Sequence, residues 1–548
     1  MWTRVAAVPL LLCAAAAPLL RGQEPQVAPM PAVKAARPPE LVTFAQLAAA
    51  ALEDAQALDP AEAADTRYLD ARNVSPDHLE ETLAVLKYHV NQLSREVELV
   101  PPRRVRDWLY AVRASDYGWD LKVYENLAKV NVYHSIPVEV KTPVPETVTE
   151  TVVEEVKVSV KKQRQVVRNG AYVTEEYDDV EVKKVTKQVE KTVAGKVAVT
   201  ADVIPAPWLP AADMGELVKL TGSKAPIVRA DLFVNKTAVQ QDRDGHGYYD
   251  FLGLKSRKDA EDLAVLDRKA AVRVYRELGA ITVTSGVALS NRQLFRLQAL
   301  TGPWWESRDV KDNLKQRNAV NNLLEQYTHD AEEIVFSLPN RLPGFHLNDA
   351  KGVQAKVAPD FIAANQQSTN NDRRIHVGYS CVVCHTDGGL RNIRDYARNL
   401  FNAQTGVKLA SLAADEKQSR RLNSVYLGPL QAAYAEDADR YTKATLDACG
   451  LPPAKLSKAF ESVWSRYLDE PVTIDRAAAE TGYSVEEFRK KLRAYATPNP
   501  VPAPGVRPRR VVNPVLVSYL AADPLPVRRE HFEEHFGLLM LILAGANP

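Results

Sequence analysis

Apolar positions between residues 41 and 136 recur at the spacing of an amphipathic helix. Ser75 and Pro76 combine an N-cap residue with a first-turn proline, and this pair marks the start of a helix. The apolar residues that follow at steps of three and four are Leu79, Leu83, Leu86, Val90 and Leu93. We therefore predict a helical N-terminal domain over residues 41–136, with His89 packed at the edge of its apolar face.

Residues 137–200 change to the alternation of a β-strand, with valines separated by charged or polar residues. The valines that carry this pattern are Val148, Val152, Val156, Val158 and Val160 before Asn169-Gly170, and Val180, Val182, Val185, Val189 and Val193 after it. Two alternating runs around an Asn-Gly pair are a strong hairpin signal. We predict a long β-ribbon insertion, for which a structural role is favoured over a binding role and whose charges discourage aggregation.

The segment 205–350 is expected to form a middle α+β domain. Its predicted elements are helices near 258–277 and 310–332 and two short strands at 333–338 and 344–347. The tryptophans Trp304 and Trp305 are more readily explained by core packing than by redox chemistry.

The segment 351–548 is expected to form the C-terminal domain. Ser484 and Glu487 have the spacing of a capping box, a Pro-rich linker follows at 497–508, and an apolar helix ends near Leu543. The fold class predicted for the whole chain is mainly α with a long β-ribbon insertion, and therefore α+β overall.

The N-terminus has the three-part pattern of an export signal. Arg4 gives a short basic region, residues 5–20 are apolar and hold two prolines, and small residues follow. We predict a signal peptide over residues 1–22 and a Pro/Ala-rich linker over 23–40, so that the mature protein is periplasmic or secreted. A membrane anchor is the disfavoured alternative, because the apolar stretch is short for a membrane span.

Charge balance argues against a nucleic-acid partner. Lys plus Arg total 70 and Asp plus Glu total 69, so the formal net charge is only +1. This balance gives no general attraction to the phosphate backbone. Beyond the signal segment, no stretch of the sequence predicts a transmembrane span.

The candidate chemistry lies in Cys381-Val382-Val383-Cys384-His385, which has the spacing of a haem c attachment site. Two thiols three positions apart can reach the two vinyl groups at one edge of a porphyrin, and the adjacent imidazole can bind the iron. We predict one covalent haem c, attached through Cys381 and Cys384, with His385 as the axial metal ligand. Residues 351–548 are therefore expected to be a haem c domain with C-terminal helices, built as a helical cytochrome c-like unit. The sequence assigns no catalytic residue.

A zinc site or a redox dithiol is the competing interpretation of the two cysteines. Zinc needs a further pair of ligands, but only Cys449 remains beyond the signal segment, and a dithiol gives His385 no role. Cys449 is expected to be a buried or idle thiol. A calcium loop over residues 242–247 is disfavoured, because the full set of oxygen ligands is missing.

The sixth iron ligand stays open at this point. The only methionine after the motif is Met540, which is 155 residues beyond His385 (540 − 385). The candidate ligands are His531, His535, Met540, His376, His346, a lysine, or none at all.

The sequence resembles a family of exported single-haem c-type cytochromes of planctomycete and myxobacterial type. The matching segments are residues 67–69 with the helix that follows them, 116–119, 248–254, and 333–340 ahead of a variable loop and the CxxCH motif. The resemblance covers most of residues 65–545 apart from the ribbon and implies haem c binding and electron transfer. A methionine ligand is not carried over, because Val382, Val383 and Leu390 stand where relatives favour methionine.

We therefore expect an exported cytochrome that transfers electrons to or from a redox partner protein. An open distal site would instead favour a haem peroxidase, an oxidase or a haem-based sensor, and a binding protein with structural haem is a third alternative. An electron carrier is favoured over a catalyst, and the enzymatic alternative is a peroxidase-type oxidoreductase.

Overall fold

The computed structural model describes residues 41–168, 171–240, 245–282, 290–324, 327–360, 362–364, 373–385, 393–397, 413–496, 514–521 and 523–545. The predicted signal peptide and linker therefore lie outside the described residues, as do Asp242 and Asp244 of the disfavoured calcium loop. From Leu41 onward the chain forms one compact unit.

The elements up to residue 252 are α1 (Phe44–Ala57), α2 (Pro60–Asp65), β1 (Thr66–Asp70), α3 (Pro76–Gln92), β2 (Arg103–Arg106), β3 (Leu109–Arg113), α4 (Leu121–Leu127), β4 (Ser135–Arg168), β5 (Ala171–Pro205), α5 (Ala211–Thr221), β6 (Ile227–Arg229), α6 (Ala230–Thr237) and α7 (Tyr248–Leu252).

The elements from residue 257 to the CxxCH motif are α8 (Arg257–Leu263), α9 (Arg268–Ala270), β7 (Leu278–Thr282), β8 (Arg292–Gln298), β9 (Pro303–Asp309), β10 (Ala331–Ser337), β11 (Pro343–Asp349), β12 (Gln354–Ala355) and α10 (Tyr379–Cys384). The C-terminal helices are α11 (Glu416–Tyr426), α12 (Leu430–Cys449), α13 (Pro453–Leu468), α14 (Ile474–Glu480), α15 (Val485–Ala496), α16 (Pro514–Leu520) and α17 (Arg529–Leu543).

The helix predicted after Ser75 is confirmed as α3, with Pro76 in its first turn. His89 is buried on this helix and lies between Phe233 and Phe460, with Nε2 2.7 Å from the Thr237 hydroxyl oxygen. The helical N-terminal domain predicted over residues 41–136 is only partly present, because its strands β1, β2 and β3 join β6 in a four-stranded sheet of order β2-β3-β1-β6. Strand β1 is buried along its whole length. In a short stretch of this kind, the spacing of apolar residues in the sequence does not distinguish a strand from a helix.

The predicted β-ribbon is confirmed by β4 and β5, which form a two-stranded antiparallel sheet of their own. The register pairs Arg168 with Ala171 next to the predicted Asn169-Gly170 turn, whose two residues lie outside the described part. The pairing continues to Ser135 and Pro205, with one irregularity at Pro143 and Pro145. At its base the Ser135 hydroxyl donates to the Asn131 and Ala128 carbonyls, which joins the ribbon to the body.

A six-stranded sheet in the order β12-β11-β10-β9-β8-β7 lies at the centre of the middle segment. The two predicted strands are confirmed as the β10–β11 hairpin, in which Val335 pairs with Phe345. The helix predicted near 258–277 is only partly present, as α8, α9 and a π-turn at Ala271–Tyr275, and β7 begins directly afterwards.

The helix predicted near 310–332 is wrong. Among the described residues of this stretch, the regular structure before β10 is a single 3-10 turn at Lys315–Arg317. Asn318 accepts hydrogen bonds from the backbone of Val320 and Asn321, and the Asn322 amide donates to the Lys315 carbonyl. Such side-chain bonds compete with helical ones, which explains why apolar spacing alone misled the prediction.

The N-terminal and C-terminal segments share one hydrophobic core. Helix α3 packs against α12 and α13, and the same core takes in residues of the six-stranded sheet and of α17. The predicted last helix is confirmed as α17, which ends at Leu543. In the predicted capping box the Glu487 backbone N–H donates to Ser484 Oγ at 3.2 Å, and the Ser484 hydroxyl donates to Glu487 Oε2.

The whole chain is therefore α+β, as predicted, with more sheet than the sequence indicated. The predicted bounds between the segments and the helical cytochrome c-like unit stay predictions. In the described part of the chain, every helix is too short or too polar to cross a membrane.

Candidate functional site

The two cysteines of the CxxCH motif lie on α10, a helix of six residues. Gly378 is the N-cap residue that precedes this helix, and its φ of +81° is a positive value that favours glycine. A Cβ atom at this position would stand 2.3 Å from the Ala238 carbonyl oxygen and 2.9 Å from a ring carbon of Tyr248. Glycine is therefore required, because α10 approaches this backbone so closely that the Tyr379 N–H bonds to the Ala238 carbonyl at 2.7 Å.

Cys381, Cys384 and His385 all line one cavity. Cys381 is buried and Cys384 is half-buried, and neither forms a disulfide. The His385 backbone N–H bonds to the Cys381 carbonyl at 2.8 Å, which closes the helical turn and holds the imidazole beside the two thiols. Burial, followed by the nearby Glu333 carboxylate, raises the pKa of the Cys381 thiol.

The His385 imidazole bonds to a carboxylate from the six-stranded sheet. His385 Nε2 lies 3.1 Å from Glu333 Oε1, and the ring packs at 5.6 Å from the ring of Phe345. Among the described residues, no hydrogen-bond partner lies at His385 Nδ1, although this atom is buried. Carboxylates that accept from a histidine in this way orient the ring and set which nitrogen is protonated.

Glu333 belongs to a buried charge network on the cavity wall. Arg292 Nη1 lies 3.6 Å from Glu333 Oε2, and Arg292 Nε lies 2.5 Å from Asp309 Oδ1. Burial alone would raise the pKa of Glu333, but the hydrogen bond and charge of His385 together with Arg292 lower it to about 2. Burial raises the pKa of Asp309, and Arg292 only partly offsets this effect. Glu333 is therefore the ionised acceptor beside the motif.

The rest of the cavity wall is largely apolar. It consists of Ala331, Leu347, Ala355, Ala358, Pro359, Ile362, Ala363 and Ile375, together with the charged and polar residues Glu332, Asn348 and Ser380. Two thiols, an imidazole and an apolar wall match the chemical groups that hold a covalent haem.

The enclosed volume is smaller than the site a porphyrin needs. The cavity measures about 110 Å³, whereas pockets for drug-sized ligands hold about 300–1,000 Å³. The two thiols and the imidazole fit haem c, but the porphyrin ring would have to extend beyond the space that the described residues enclose. Residues 365–372 and 386–392, which flank the motif in the sequence, are not among the described residues.

Among the described residues, none of the histidine and methionine candidates for a sixth ligand lines the cavity. His531 is exposed on α17, and Met540 is buried in the core. These two residues, and also His535 and His376, are absent from the described lining of the cavity. His346 is buried on β11, next in sequence to Leu347 of the cavity wall, and its ring packs edge-on against Tyr249 at 5.1 Å.

Sequence reasoning missed Arg292, Asp309 and the role of Glu333. All three lie on β-strands, and Glu333 follows Glu332 at the start of a strand whose next three residues are apolar. A charged residue within a predicted buried strand could have pointed to Glu333, since charged side chains are rarely buried without a partner. The position of the partner could not be read from the sequence, because 52 residues separate Glu333 from His385.

Trp304, Trp305 and Cys449 are not among the described residues that line the cavity. Trp304 and Trp305 are buried, and their indole N–H groups donate to Glu306 Oε2 and Asp437 Oδ2, which agrees with core packing. Cys449 is half-buried and its thiol donates to the Thr445 carbonyl. Within the described ranges, no group of three or more His, Cys, Asp and Glu side chains is arranged to hold a metal ion.

No protein-family model, curated protein or solved structure matches this chain.

Proposed function

We propose that this chain is an exported c-type cytochrome that carries one covalent haem and transfers electrons to or from a redox partner protein. The observation that supports it best is the convergence of Cys381, Cys384 and His385 on one cavity. The proposal includes the likeness to exported single-haem c-type cytochromes, the signal peptide and the periplasmic or secreted location.

Each residue of the motif has a defined task in this proposal. Cys381 and Cys384 would hold the porphyrin through thioether bonds, and His385 would bind the iron. The haem supplies the one-electron chemistry when it is bound. Glu333 keeps the His385 imidazole oriented. The apolar residues of the cavity wall would exclude water from the bound haem.

The fixed orientation of His385 matters because an electron carrier must change its redox state with little rearrangement. An imidazole held by a carboxylate donates more electron density than a free one, which stabilises the oxidised iron and lowers the reduction potential. Arg292 weakens this lowering of the potential, because its positive charge partly neutralises the Glu333 carboxylate. The chain's own charges therefore set part of the potential.

A second candidate function is a haem peroxidase or oxidase, favoured by the same His385–Glu333 bond. The electron-rich imidazole that results also favours cleavage of an oxygen–oxygen bond at an open iron site. An optical spectrum separates the two. A six-coordinate low-spin spectrum in both redox states supports electron transfer, whereas a five-coordinate ferrous form that binds carbon monoxide supports the second candidate.

The direct test is expression of the full chain with haem-attachment machinery, followed by denaturation and acid–acetone extraction. We expect haem to remain with the protein and to give the pyridine haemochrome spectrum of a doubly attached haem c. The double variant Cys381→Ser/Cys384→Ser should lose all covalent haem.

Cys449→Ser is the matched control, because Cys449 is also a half-buried thiol but lies outside the cavity. It should retain haem like the unchanged protein. Wild-type protein that contains no covalent porphyrin, or equal loss of haem in the control, would refute the proposal.

A further inference from the structure

Residues 272–276, with the sequence Val-Arg-Val-Tyr-Arg, form an exposed segment that leads into strand β7. All five side chains are exposed to solvent, and Val274 and Tyr275 retain 60% and 61% of their full accessibility. An element that packs on the body of a protein buries the side chains on at least one of its sides. Since five consecutive side chains stay exposed here, this segment projects from the end of the six-stranded sheet.

Two further exposed apolar side chains lie at the same end of this sheet. Strands β7 and β8 are antiparallel neighbours, so β7 begins beside the end of β8. Leu300 follows β8 and is 81% exposed, and its backbone N–H bonds to the carbonyl of the exposed Val265 at 3.4 Å. We call Val265, Lys269, residues 272–276 and Leu300 the apolar–cationic patch.

The cations of the apolar–cationic patch lack counter-ions. Among the described residues, no carboxylate lies within salt-bridge distance of Lys269, Arg273 or Arg276. The neighbouring Arg268 differs from these three, because it pairs with Glu261 and Glu306. The patch therefore presents an excess of positive charge, which attracts an anionic surface.

Two strained residues belong to the same patch. Val265 has a φ of +53° and Arg276 has a φ of +67°, values that are uncommon for any residue except glycine and a clear outlier for a β-branched one. Glycine would adopt them without strain. Because both side chains are exposed, core packing does not explain why glycine is absent. Strain that is kept without a packing role indicates a function for the side chains themselves.

We propose that the apolar–cationic patch attaches the protein to the surface of an anionic phospholipid membrane. The valine, leucine and tyrosine side chains would enter the boundary between headgroups and acyl chains, where tyrosine is enriched in membrane proteins. Lys269, Arg273 and Arg276 would stay at the level of the phosphates, because their long apolar stems let the charged ends reach water.

The occupant is a membrane rather than an acidic protein because the patch projects. A lipid surface is soft and accepts projecting apolar side chains wherever they meet it, whereas a protein partner would need a cavity of matching shape. The proposal does not depend on haem, so it stands or falls separately from the proposed function.

The three unpaired cations predict a marked preference for anionic lipid. A basic residue near an anionic membrane surface strengthens binding roughly fivefold, so three of them give a preference on the order of a hundredfold. We expect this preference to weaken as salt is added, because exposed charges are screened.

The experiment measures co-sedimentation of the full chain with vesicles of phosphatidylcholine alone and of phosphatidylcholine with an equal amount of phosphatidylglycerol. The wild type should prefer the mixed vesicles. Lys269→Gln/Arg273→Gln should bind them on the order of twentyfold more weakly, by the same estimate per charge. Val274→Ser/Tyr275→Ser should also bind more weakly, although it keeps every charge. All variants retain the apolar residues 5–20, so differences between them report the patch alone.

Arg489→Gln/Lys490→Gln is the matched control for charge, because it removes two exposed cations from α15. Val97→Ser/Leu525→Ser is the control for apolar surface, at positions that are 72% and 60% exposed. Both controls should bind vesicles like the wild type.

Patch variants that bind as the wild type does, controls that lose binding equally, or a wild type without preference for the mixed vesicles would each overturn the proposal. A chain that binds polyglutamate but not the mixed vesicles would also overturn it and would assign the patch to an acidic protein.

Discussion

Glu333 Oε1 lies 3.1 Å from His385 Nε2, so that a strand of the six-stranded sheet holds the histidine that ends the CxxCH motif. The bond joins an ionised carboxylate to the ring, and Arg292 lies on the other carboxylate oxygen. A hydrogen bond to a charged group contributes about 1.5–3 kcal/mol. The orientation of the proposed iron ligand therefore depends on a residue far away in the sequence.

Glu333→Gln is expected to raise the reduction potential of the haem-loaded protein by roughly 60 mV, which for one electron is a tenfold change in the equilibrium. The neutral amide leaves the imidazole less electron-rich, so the reduced iron gains stability. Potentiometric titration measures this shift. Asp309→Asn is the control, since it alters a neighbouring acid of the same cavity that does not bond to His385. Equal shifts in both variants would show that the hydrogen bond has no special part.

Gly378→Ala is expected to displace α10 and to lower stability by more than the cost of a left-handed alanine, which is about 1–2 kcal/mol. The added Cβ would meet the Ala238 carbonyl oxygen at 2.3 Å. Gly222→Ala is the control, because Gly222 also has a positive φ of +63° but no heavy atom within 4 Å of the added Cβ. Urea unfolding of both variants measures the difference, and equal losses would contradict the clash.

Glu480→Gln is expected to lower the free energy of unfolding by about 3–5 kcal/mol, because it leaves the buried Arg529 guanidinium without its paired carboxylate, whereas Arg229 keeps Asp231. Glu480 Oε2 lies 2.7 Å from Arg229 Nη1 and 2.6 Å from Arg529 Nη1, and all three side chains are buried. Glu486→Gln on the exposed face of α15 is the control and should change stability little. Chemical unfolding of both variants at neutral pH measures the difference. A loss of less than about 1 kcal/mol in the free energy of unfolding of Glu480→Gln would contradict the prediction.

His346 is expected to make stability fall as the pH drops from about 6.5 to 4. Burial lowers the pKa of His346 to about 4, below its ordinary value of 6.5, so in this window the unfolded chain binds a proton that the folded chain does not. The slope from one such group approaches 1.4 kcal/mol per pH unit, by an estimate of about one proton.

His346→Leu should remove this part of the slope, measured by urea unfolding between pH 4 and 7. His531→Leu, at an exposed position on α17, should leave the slope unchanged. A slope that persists in His346→Leu would show that other groups, such as His89 with its pKa lowered by burial to about 3, carry the whole effect.

Local patterns in the sequence were sufficient for part of the fold and the site. The Asn169-Gly170 turn signal and the valine alternation predicted the β4–β5 ribbon, and the Ser75-Pro76 start predicted α3, because these signals act between near neighbours. The spacing from Cys381 to His385 likewise placed three side chains at one cavity, since a single helical turn fixes their relative positions.

The tertiary structure alone decided the rest. The helix expected near 310–332 gave way to turns held by Asn318 and Asn322, because local side-chain bonds outweighed apolar spacing. Arg292 pairs with Glu333, the carboxylate that bonds to His385, only because β8, β9 and β10 align in one sheet. Strand order follows from long-range pairing and burial. The sequence by itself therefore determined which groups are proposed to hold the haem, and the folded sheet determined which charges surround them.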